Sequence, residues 1–511
     1  MLSSRLGLWG NGAVVVPDKP LNCLERAAGQ VSGMRKISVK AGPNRKKRSS
    51  RGSAGKEVPK RVLRAMTIKE VANLKNLVLA YELIKSKPGN MTPGVNMETL
   101  DGISKEYLLK VQAKLLAGKY EFPAARRVEI PKPGKPGETR PLTIASPRDK
   151  LVQKAMQLIM EPHYEEQFSA SSHGFRPGRG THTAVLQVDA QLQSAQYIVE
   201  ADFSKAFDSI SHSKLMEIIA RHISDEKLLR LIRSGLKSGW MDRFGELHDN
   251  LGVGTPQGSI LSPLLCNIFL HELDIFMETL KAKHEKGVKK GRNKEHESLT
   301  NKVKWMRTTG KAQTERERYR DLLKKMLLVP SQTFDDNYVR INYVRYADDF
   351  IIGVQGSLTI AQQVLAEVSE FVTKELGLKL NDSKTGIVPI KERACGFLGY
   401  LFRAPYKAGS SRGTEVIREP NSQRLVRRRK KERMSIFMDY QKVLKRLEQN
   451  KFIRLRKRPG SNDETMLRGT FRGNLINLDH ADILRYYNSV IRGIYNYYCT
   501  VNNMSKVARV I

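Results

Sequence analysis

Two adjacent aspartates, Asp348 and Asp349, lie between two segments that are patterned as buried β-strands. Residues 339–343 alternate apolar and polar side chains, and residues 351–354 form an apolar run. This pattern predicts a strand, a tight turn and a second strand, with both carboxylates at the tip of the hairpin. A solvated turn is the alternative explanation of an Asp-Asp pair. A turn between two buried strands does not require two adjacent charges, however, so the pair is a candidate catalytic site.

A third carboxylate, Asp202, ends another strand-like run, residues 197–202. A helix pattern follows that run, and a second helix is predicted from about Thr359 to Leu376, with Gly377 ending it. A further strand begins near Leu378. The order strand, helix, hairpin, helix, strand is typical of a ferredoxin-like sheet, an α+β fold with helices on one face. In such a sheet the first strand ends beside the hairpin, so the carboxylates are expected to converge.

Convergence of Asp202, Asp348 and Asp349 would create an oxygen-rich site. Mg²⁺ prefers hard oxygen ligands, commonly one or two carboxylates together with waters and substrate phosphates. Two such ions about 4 Å apart can activate a hydroxyl group and stabilise a pyrophosphate leaving group in an in-line displacement. Nucleotidyl transfer needs such an arrangement, so the three aspartates are candidate catalytic and Mg²⁺-binding residues.

The chain carries a large excess of positive charge. It has 89 Lys and Arg against 52 Asp and Glu in 511 residues, a formal net charge of +37, with an ordinary hydrophobic content of 40%. Such an excess indicates a polyanionic partner, either nucleic acid or an anionic membrane surface. The sequence has no run of 18 apolar residues, so no membrane-spanning helix is expected. Its four cysteines are widely separated and predict neither a disulfide scaffold nor a zinc ribbon.

The positive charge is concentrated in three segments. Residues 1–60 mix Gly, Ser and basic runs without hydrophobic periodicity, which predicts a flexible basic arm. Residues 281–325 contain 16 Lys/Arg against six Asp/Glu, which indicates an inserted, charged and partly helical segment. Residues 401–458 contain 19 against five, and their apolar residues from Ile436 to Leu447 predict an amphipathic helix with a basic outer face. A solvated surface explains one such segment, but three favour RNA or DNA.

Several segments resemble the successive motifs of reverse transcriptases, and most closely those of the group II intron-encoded reverse transcriptase/maturases, over roughly residues 60–500. The matching segments are an S-x-G-F-R-P box at 172–179, a D-x-x-x-x-[FY] motif at 202–208, a P-Q-G loop at 254–259, a Y-A-D-D box at 346–349, and palm-closing motifs at 381–385 and 397–400. On this resemblance Asp202, Asp348 and Asp349 become the metal-binding triad, and Asp208 lies outside it.

The resemblance implies a right-hand polymerase with a ferredoxin-like palm, fingers and a helical thumb/X domain. The implied organisation is a flexible basic arm at 1–60, fingers at 61–190, a palm with the remaining fingers at 191–406 that includes a Lys-rich insertion at 281–335, and a helical thumb with part of the X (maturase) domain at 407–511. The sequence ends at Ile511, soon after residues 485–498, which resemble part of the family's X domain, so a shortened X domain and no endonuclease domain are expected.

Two residues lie at positions that resemble those where the family contacts the sugar of the incoming nucleotide. Phe207 stands where the family places an aromatic plate that collides with a ribose 2′-hydroxyl and so selects deoxynucleotides. Its alternative role is that of an ordinary core phenylalanine. Gln257 is expected to hydrogen-bond the sugar or base region, next to Gly258, which lets the backbone approach the substrate. A generic Pro-Gly turn is the alternative for that loop.

Further positive charge is expected around the triphosphate. Arg140 resembles the fingertip arginine that lies over the base, and Lys132 or Lys135 would add charge beside it. Lys384 is expected to contact the triphosphate or the primer, or else to be an ordinary exposed lysine. In the C-terminal region, residues 485–498 interleave aromatic and basic side chains, a pattern that suits unpaired RNA bases and is equally explained by helix packing.

The function implied is that of an RNA-directed DNA polymerase that binds group II intron RNA, extends a DNA primer or target with deoxynucleoside triphosphates, and assists intron splicing and mobility. The alternatives are a non-enzymatic RNA-binding splicing factor with a silent polymerase, and an inactive remnant. A homodimer is allowed. The expected compartment is the mitochondrion, because the insertion resembles the organellar branch and residues 1–10 resemble the start of a transit peptide. A bacterial cytoplasm and a flexible chain start are the alternatives.

Overall fold

The computed structural model describes residues 65–87, 89, 92–131, 137–250, 252–329, 337–404, 414–418, 425–429, 434–457 and 465–505. The predicted basic arm, residues 1–60, lies outside the described residues. Within the described part, no helix is both long enough and apolar enough to cross a membrane.

Helices and strands are interspersed along the chain in an α+β arrangement. The helices are α1 Ile68–Val71, α2 Leu74–Lys85, α3 Lys105–Ala117, α4 Pro147–Gln167, α5 Thr181–Gln191, α6 Ala206–Ser209, α7 His212–Ala220, α8 Glu226–Lys237, α9 Ser262–His284, α10 Lys294–Thr308, α11 Lys311–Thr314, α12 Arg316–Leu328, α13 Leu358–Phe371, α14 Tyr440–Gln449 and α15 His480–Tyr497. The strands are β1 Ala125–Pro131, β2 Thr139–Ile144, β3 Tyr197–Asp202, β4 Trp240–Met241, β5 Leu247–His248, β6 Arg340–Tyr346, β7 Asp349–Gln355, β8 Gly386–Pro389, β9 Cys395–Phe397, β10 Tyr400–Arg403, β11 Thr414–Arg418, β12 Leu425–Arg429, β13 Ser435–Met438, β14 Ile453–Lys457 and β15 Thr465–Gly469.

The central sheet has the strand order β6-β7-β3-β8, with antiparallel pairing throughout. This is the order of a ferredoxin-like sheet, so the predicted α+β palm is confirmed. The helix predicted after the hairpin is also present: α13 continues through a π-helical turn, Val372–Leu376, and ends at Gly377, which has a φ of +67°. Glycine adopts that left-handed conformation without a steric penalty.

Both faces of the palm sheet are covered, whereas the sequence predicted helices on one face. Val199 and Ile352 pack into one core with α9 and α13. Their neighbours Ile198 and Ile351 point the other way and pack into a second core with α5 and the sheet β13-β10-β9. Strands buried on both faces are continuous apolar runs rather than alternating ones, and the burial of β7 has that pattern. The second layer comes from a distant part of the chain, which the local pattern cannot reveal.

The fingers are built around the hairpin of β1 and β2, which belongs to a four-stranded sheet of order β2-β1-β4-β5. Helices α2 and α4 pack on one another and contribute Leu77, Leu151 and Met156 to the large core that also contains the palm helices. The tip of the hairpin, residues 132–136, lies outside the described residues. Fingers and palm therefore share one hydrophobic core.

Two expectations for the charged segments have different outcomes. Residues 294–328 form α10, α11 and α12, so the insertion is helical as predicted. The amphipathic helix predicted from Ile436 is wrong in its first turn, because residues 435–438 form β13 and the helix begins at Tyr440. Ile436 and Met438 both face inward with a period of two and pair with β10. Asp439 then caps α14, since its carboxylate accepts a hydrogen bond from the Lys442 backbone N–H at 3.2 Å.

Candidate active site

Strand pairing brings the three predicted acidic residues to one end of the palm sheet. β6 and β7 pair as far as Tyr346 and Asp349, so Ala347 and Asp348 form the two-residue turn between them. Ala347 has a φ of +55°, the left-handed conformation that tight hairpin turns use. Asp202 ends β3 directly opposite Asp349. The register of two strands therefore sets the carboxylates side by side, although they are separated by more than 140 positions in the sequence.

The carboxylates repel one another in a partly desolvated site. Burial, a hydrogen bond shared with Asp202 and the charges of Asp202 and Asp348 raise the pKa of Asp349 to about 7. Burial also raises the pKa of Asp348, with a further contribution from the charge of Asp202. The ammonium group of Lys384 donates a hydrogen bond to Asp202, and this bond raises the pKa of Lys384. One lysine thus partly compensates three acidic groups.

The site offers the donors that a hard divalent cation requires. Asp202 and Asp349 line a cleft of about 780 Å³ that extends to Tyr400 and Lys442. Repulsion between the carboxylates would be relieved by a cation, which supports the fit. In the described part of the chain, the three ligand-type side chains whose ligand atoms all lie within 4.8 Å of one another are instead Asp242, Glu246 and His248. The palm carboxylates are more widely spread, so their role as metal ligands stays a prediction.

Arg345 supports the turn formed by Ala347 and Asp348, the candidate catalytic turn, and the sequence motifs do not disclose this role. Its guanidinium is fully buried and pairs with Asp274 of α9 through Nε (2.8 Å) and Nη2 (2.6 Å). Its Nη1 donates to the Ala347 carbonyl (2.9 Å) and to the amide oxygen of Asn267 (3.2 Å). Tyr343 donates to the same Asp274 carboxylate at 3.0 Å. A long buried helix with two polar residues on its inner face is the sequence signal that could have indicated this network.

The S-x-G-F-R-P box packs directly against the catalytic turn. Ser172 forms a β-bridge with Arg345, and the His173 N–H donates to the Arg345 carbonyl at 2.9 Å. A Cβ built on Gly174 would lie 2.4 Å from the Ala347 backbone nitrogen. Asn267 donates to the Gly174 carbonyl at 2.8 Å. Only glycine allows this close approach of the two backbones, which explains why the box has a glycine here.

The P-Q-G loop connects the fingers to the helical turn that follows β3. The Thr255 N–H donates to the Phe207 carbonyl at 2.7 Å, and the Gln257 side-chain amide donates to both Asp208 oxygens at 3.1 and 3.2 Å. The Gln257 carbonyl accepts from the Thr143 N–H of β2 at 2.6 Å. Phe207 is half-buried against the main core. The structure thus brings Phe207 and Gln257 together, and it assigns Asp208 a partner outside the triad.

The remaining predicted nucleotide contacts have different outcomes. Arg140 lies on β2 opposite Ile130 with its side chain exposed, on the same strand that reaches the P-Q-G loop. Lys132 and Lys135 lie outside the described residues. Lys384 faces the catalytic cleft and pairs with Asp202. The nucleotide-contact roles of these residues stay predictions.

The C-terminal helix α15 is joined to the palm through its last turn. The Tyr497 hydroxyl donates to the Leu398 carbonyl at 2.8 Å, and the Tyr497 carbonyl accepts hydrogen bonds from Tyr400 and from His182 of α5. Tyr486, nearer the start of α15, instead stacks on Phe452 with ring centroids 6.2 Å apart. The aromatic residues of this region therefore form two groups. Those in the last turn of α15 pack the helix against the palm, and those in its first turns form a separate group with Phe452.

Comparison with known protein families agrees with this site. A family model described as reverse transcriptase (RNA-dependent DNA polymerase) matches residues 130–288 and 319–402. A model described as type II intron maturase matches residues 431–511. The first match contains the palm carboxylates and the P-Q-G loop, and the second contains α14 and α15.

Three curated proteins illustrate the similarity along the chain. A Saccharomyces cerevisiae protein named after intron 1 of COX1/OXI3 is 34% identical over 443 residues, 85% of this chain and 50% of that protein. The group II intron-encoded protein LtrA of Lactococcus lactis is 33% identical over 435 residues, 84% of this chain and 69% of that protein. An uncharacterized mitochondrial protein of Marchantia polymorpha is 32% identical over 247 residues, 48% of this chain and 31% of that protein.

This chain spans about half the length of the yeast relatives that it matches. Its match to LtrA covers more than two thirds of that protein at one third identity, and the two family models match the polymerase motifs and the C-terminal helices. Similarity of this extent, together with the palm sheet and its three carboxylates, establishes that the chain belongs to the group II intron-encoded reverse transcriptase/maturase family.

Proposed function

We propose that this protein is an RNA-directed DNA polymerase encoded by a group II intron, which copies RNA and assists splicing and mobility of the intron. The observation that carries the proposal is the register of the palm sheet, in which Asp202 lies opposite Asp349 and beside Asp348 at the hairpin tip. The family relationship supports the same activity.

In this proposal Asp202, Asp348 and Asp349 hold Mg²⁺, since reverse transcriptases use divalent metal ions and carboxylate oxygens suit Mg²⁺. When bound, the ions supply activation of the primer 3′-hydroxyl and stabilisation of the leaving pyrophosphate. Lys384 then leaves Asp202 and turns its charge to the triphosphate or primer. Its side chain is 62% exposed, so little surrounding structure opposes this movement.

The sugar of the incoming nucleotide is assigned to Phe207 and Gln257. Asp208 holds the Gln257 amide through two hydrogen bonds, so the side chain is oriented before substrate arrives. The half-buried ring of Phe207 closes the space that a 2′-hydroxyl would occupy. Arg140 and Lys132 are proposed to add charge from the fingers.

The partners proposed are intron RNA, a DNA primer or target, and deoxynucleoside triphosphates. Residues 281–325 and 401–458 carry charge surpluses of 10 and 14, and in the sequence one precedes and the other follows the hairpin that carries Asp348 and Asp349. Clustered basic residues suit a long polyanion. The proposed compartment is the mitochondrion, supported by the mitochondrial relative from Marchantia. A bacterial cytoplasm is the alternative compartment, since one relative comes from Lactococcus. Homodimer formation stays a prediction.

The domain organisation proposed is a basic arm at 1–60, fingers at 61–190, a palm with the remaining fingers at 191–406 that includes the insertion at 281–335, and a thumb with part of the X (maturase) domain at 407–511. The fingers and palm sheets and the positions of α14 and α15 support these limits. Because the last segment also contains β11 to β15, it is helical only in part.

A splicing factor without polymerase activity is the second candidate, favoured by the maturase match at residues 431–511. Primer extension on an RNA template and splicing of the intron are to be measured side by side, with Asp348→Asn as the test variant. We expect Asp348→Asn to abolish extension while RNA affinity remains near the wild-type value, because the substitution leaves every Lys and Arg of the basic segments in place. Splicing without extension by the wild-type protein would instead establish the second candidate.

A further inference from the structure

Phe175 has a backbone conformation and an exposure that are both unfavourable for phenylalanine. Its φ is +57°, in the left-handed region that residues with a Cβ rarely adopt, and its side chain is 53% exposed. A large apolar ring left in solvent gains little from the hydrophobic effect. Strained residues persist where the surrounding structure fixes them, and they are concentrated at functional sites. The residue therefore requires an explanation other than core packing.

The residues on both sides of Phe175 are fixed, which explains how the strain is maintained. Gly174 is held between Asn267 and the backbone of Ala347. Arg176 is almost fully buried, and its guanidinium donates to the Glu165 carboxylate at 2.7 and 2.9 Å and to the Ser169 and Ser172 carbonyls at 2.6 and 2.9 Å. With both neighbours held, the backbone at Phe175 has little freedom to relax.

The ring of Phe175 contacts the ring of Phe207. Their centroids are 6.4 Å apart and their planes lie at 81°, the edge-to-face arrangement that aromatic pairs prefer. Phe207 is held from its backbone by Thr255. Its side chain, however, is only half-buried, so a second contact is needed to fix the ring angle. Phe175 provides that contact from the segment that packs against the catalytic turn.

We propose that Phe175 is a positioning residue for sugar selection: it fixes the ring of Phe207 at the angle that excludes a ribose 2′-hydroxyl. This inference rests on the proposed polymerase function and on the role assigned there to Phe207. Because Gly174 is seated on Ala347, the same segment sets the distance between the catalytic turn and the sugar-selecting ring. The choice between deoxyribose and ribose thereby depends on the geometry of the turn at Ala347.

The test is single-nucleotide primer extension with matched deoxynucleoside and ribonucleoside triphosphates, comparing their values of kcat/KM. For Phe175→Ala we expect the preference for the deoxynucleotide to fall about two- to tenfold, the factor to which the energy of one aromatic pair corresponds. Phe175→Tyr should retain the wild-type preference because it keeps the ring. Phe244→Ala is the matched control, since Phe244 is 75% exposed on the turn between β4 and β5 and lies outside the proposed machinery.

A double-mutant cycle separates positioning from a direct contact. Phe175 acts through Phe207, so Phe175→Ala should cause no further loss of preference in a Phe207→Ala background. Phe175→Gly provides a folding check, because glycine adopts a φ of +57° without strain. Its melting temperature should be no lower than that of the wild type, with the same loss of preference.

Three outcomes would overturn the inference. The first is an unchanged preference in both Phe175→Ala and Phe175→Gly. The second is a loss that adds fully to that of Phe207→Ala. The third is an equal loss of kcat/KM for both nucleotide classes, which would mean that the ring contacts primer or template instead. Failure of the wild-type protein to extend any primer would overturn the proposed function itself, and this inference with it.

Discussion

Arg345 connects the catalytic turn to helix α9 entirely within the protein interior. Breaking a buried ion pair from one side leaves the partner charge without compensation, which costs about 3–5 kcal/mol. We therefore expect Arg345→Met to lower the free energy of unfolding by about that amount, because Asp274 would stay buried without the guanidinium that compensates its charge. Thermal and denaturant unfolding measure the effect. Arg221→Met is the control, since Arg221 forms exposed ion pairs with Glu217 and Glu272 that contribute little.

The double variant Arg345→Met/Asp274→Leu distinguishes burial of a charge from general disruption. Replacing both partners by apolar residues removes the uncompensated carboxylate, so much of the lost stability should return. Polymerisation should not return with it, because the hydrogen bond from Arg345 to the Ala347 carbonyl is still missing. A double variant no more stable than Arg345→Met would contradict this assignment.

The raised pKa of Asp349 predicts a pH dependence of stability in the metal-free protein. In the folded state this carboxyl keeps its proton up to about pH 7, whereas its ordinary pKa is 3.8. Between these values the folded state binds more protons than the unfolded state, so stability falls as the pH rises. Asp349→Asn removes this titration. In the presence of a chelator, its melting temperature should fall less between pH 5 and pH 8 than that of the wild type, by a few degrees.

The exposed Asp382 supplies the control for this measurement, since Asp382→Asn should retain the wild-type pH dependence. Identical pH profiles for Asp349→Asn and the wild type would show that the carboxylate is not destabilised by its surroundings. Adding Mg²⁺ at pH 8 should raise the melting temperature of the wild type more than that of Asp349→Asn, because a bound cation relieves the repulsion.

At the scale of secondary structure, the palm was predictable because its strands and helices follow one another with clear local periodicity. The strand ending at Asp202, the hairpin and the helix ending at Gly377 all lie where the sequence pattern indicates them. Contacts between distant elements were not predictable in the same way. Asp274 and Arg345 are 71 positions apart. The sequence around a polar residue on an apolar helix does not show which distant residue will pair with it. The first turn of the predicted thumb helix became β13 because pairing with β10 outweighed helical spacing.

The insertion that contains helices α10 to α12 begins and ends at neighbouring positions beside the palm. Lys286 and Val339 form a β-bridge with hydrogen bonds of 3.2 and 3.3 Å, so the two ends of the insertion lie side by side. We expect that replacing residues 289–336 by a short Gly-Ser linker will preserve the fold and primer extension on a short template. The replacement removes 13 Lys/Arg and seven Asp/Glu, so intron RNA affinity should fall and its salt dependence should become shallower.

Melting temperature and extension activity serve as controls for that replacement, and titrations with intron RNA at several salt concentrations provide the measurement. If the insertion contributes phosphate contacts, the slope of log affinity against log salt should decrease in magnitude. An unchanged slope with unchanged affinity would contradict the proposed role of the insertion in holding RNA.

At the scale of the whole molecule, the three acidic residues of the candidate active site lie within a chain of net charge +37. The fingers and palm share one core, and the C-terminal helix is joined to the palm at Tyr497, so residues from the polymerase and maturase matches contact one another directly. The sequence alone located the basic segments and the triad. It did not indicate that residues 431–511, which match the maturase model, would pack on the palm. The hydrogen bond from Tyr497 to Leu398 joins residues almost 100 positions apart.

The catalytic role of the three aspartates is tested by primer extension on an RNA template, comparing the wild type with Asp202→Asn, Asp348→Asn and Asp349→Asn; Asp101→Asn is the control, since Asp101 is exposed and lies outside the matching motifs. RNA affinity is measured on the same preparations. We expect each triad variant to lose extension, on the order of a thousandfold, while RNA affinity and the control remain near the wild-type values. Extension at the wild-type rate by any one of the three triad variants would contradict this role.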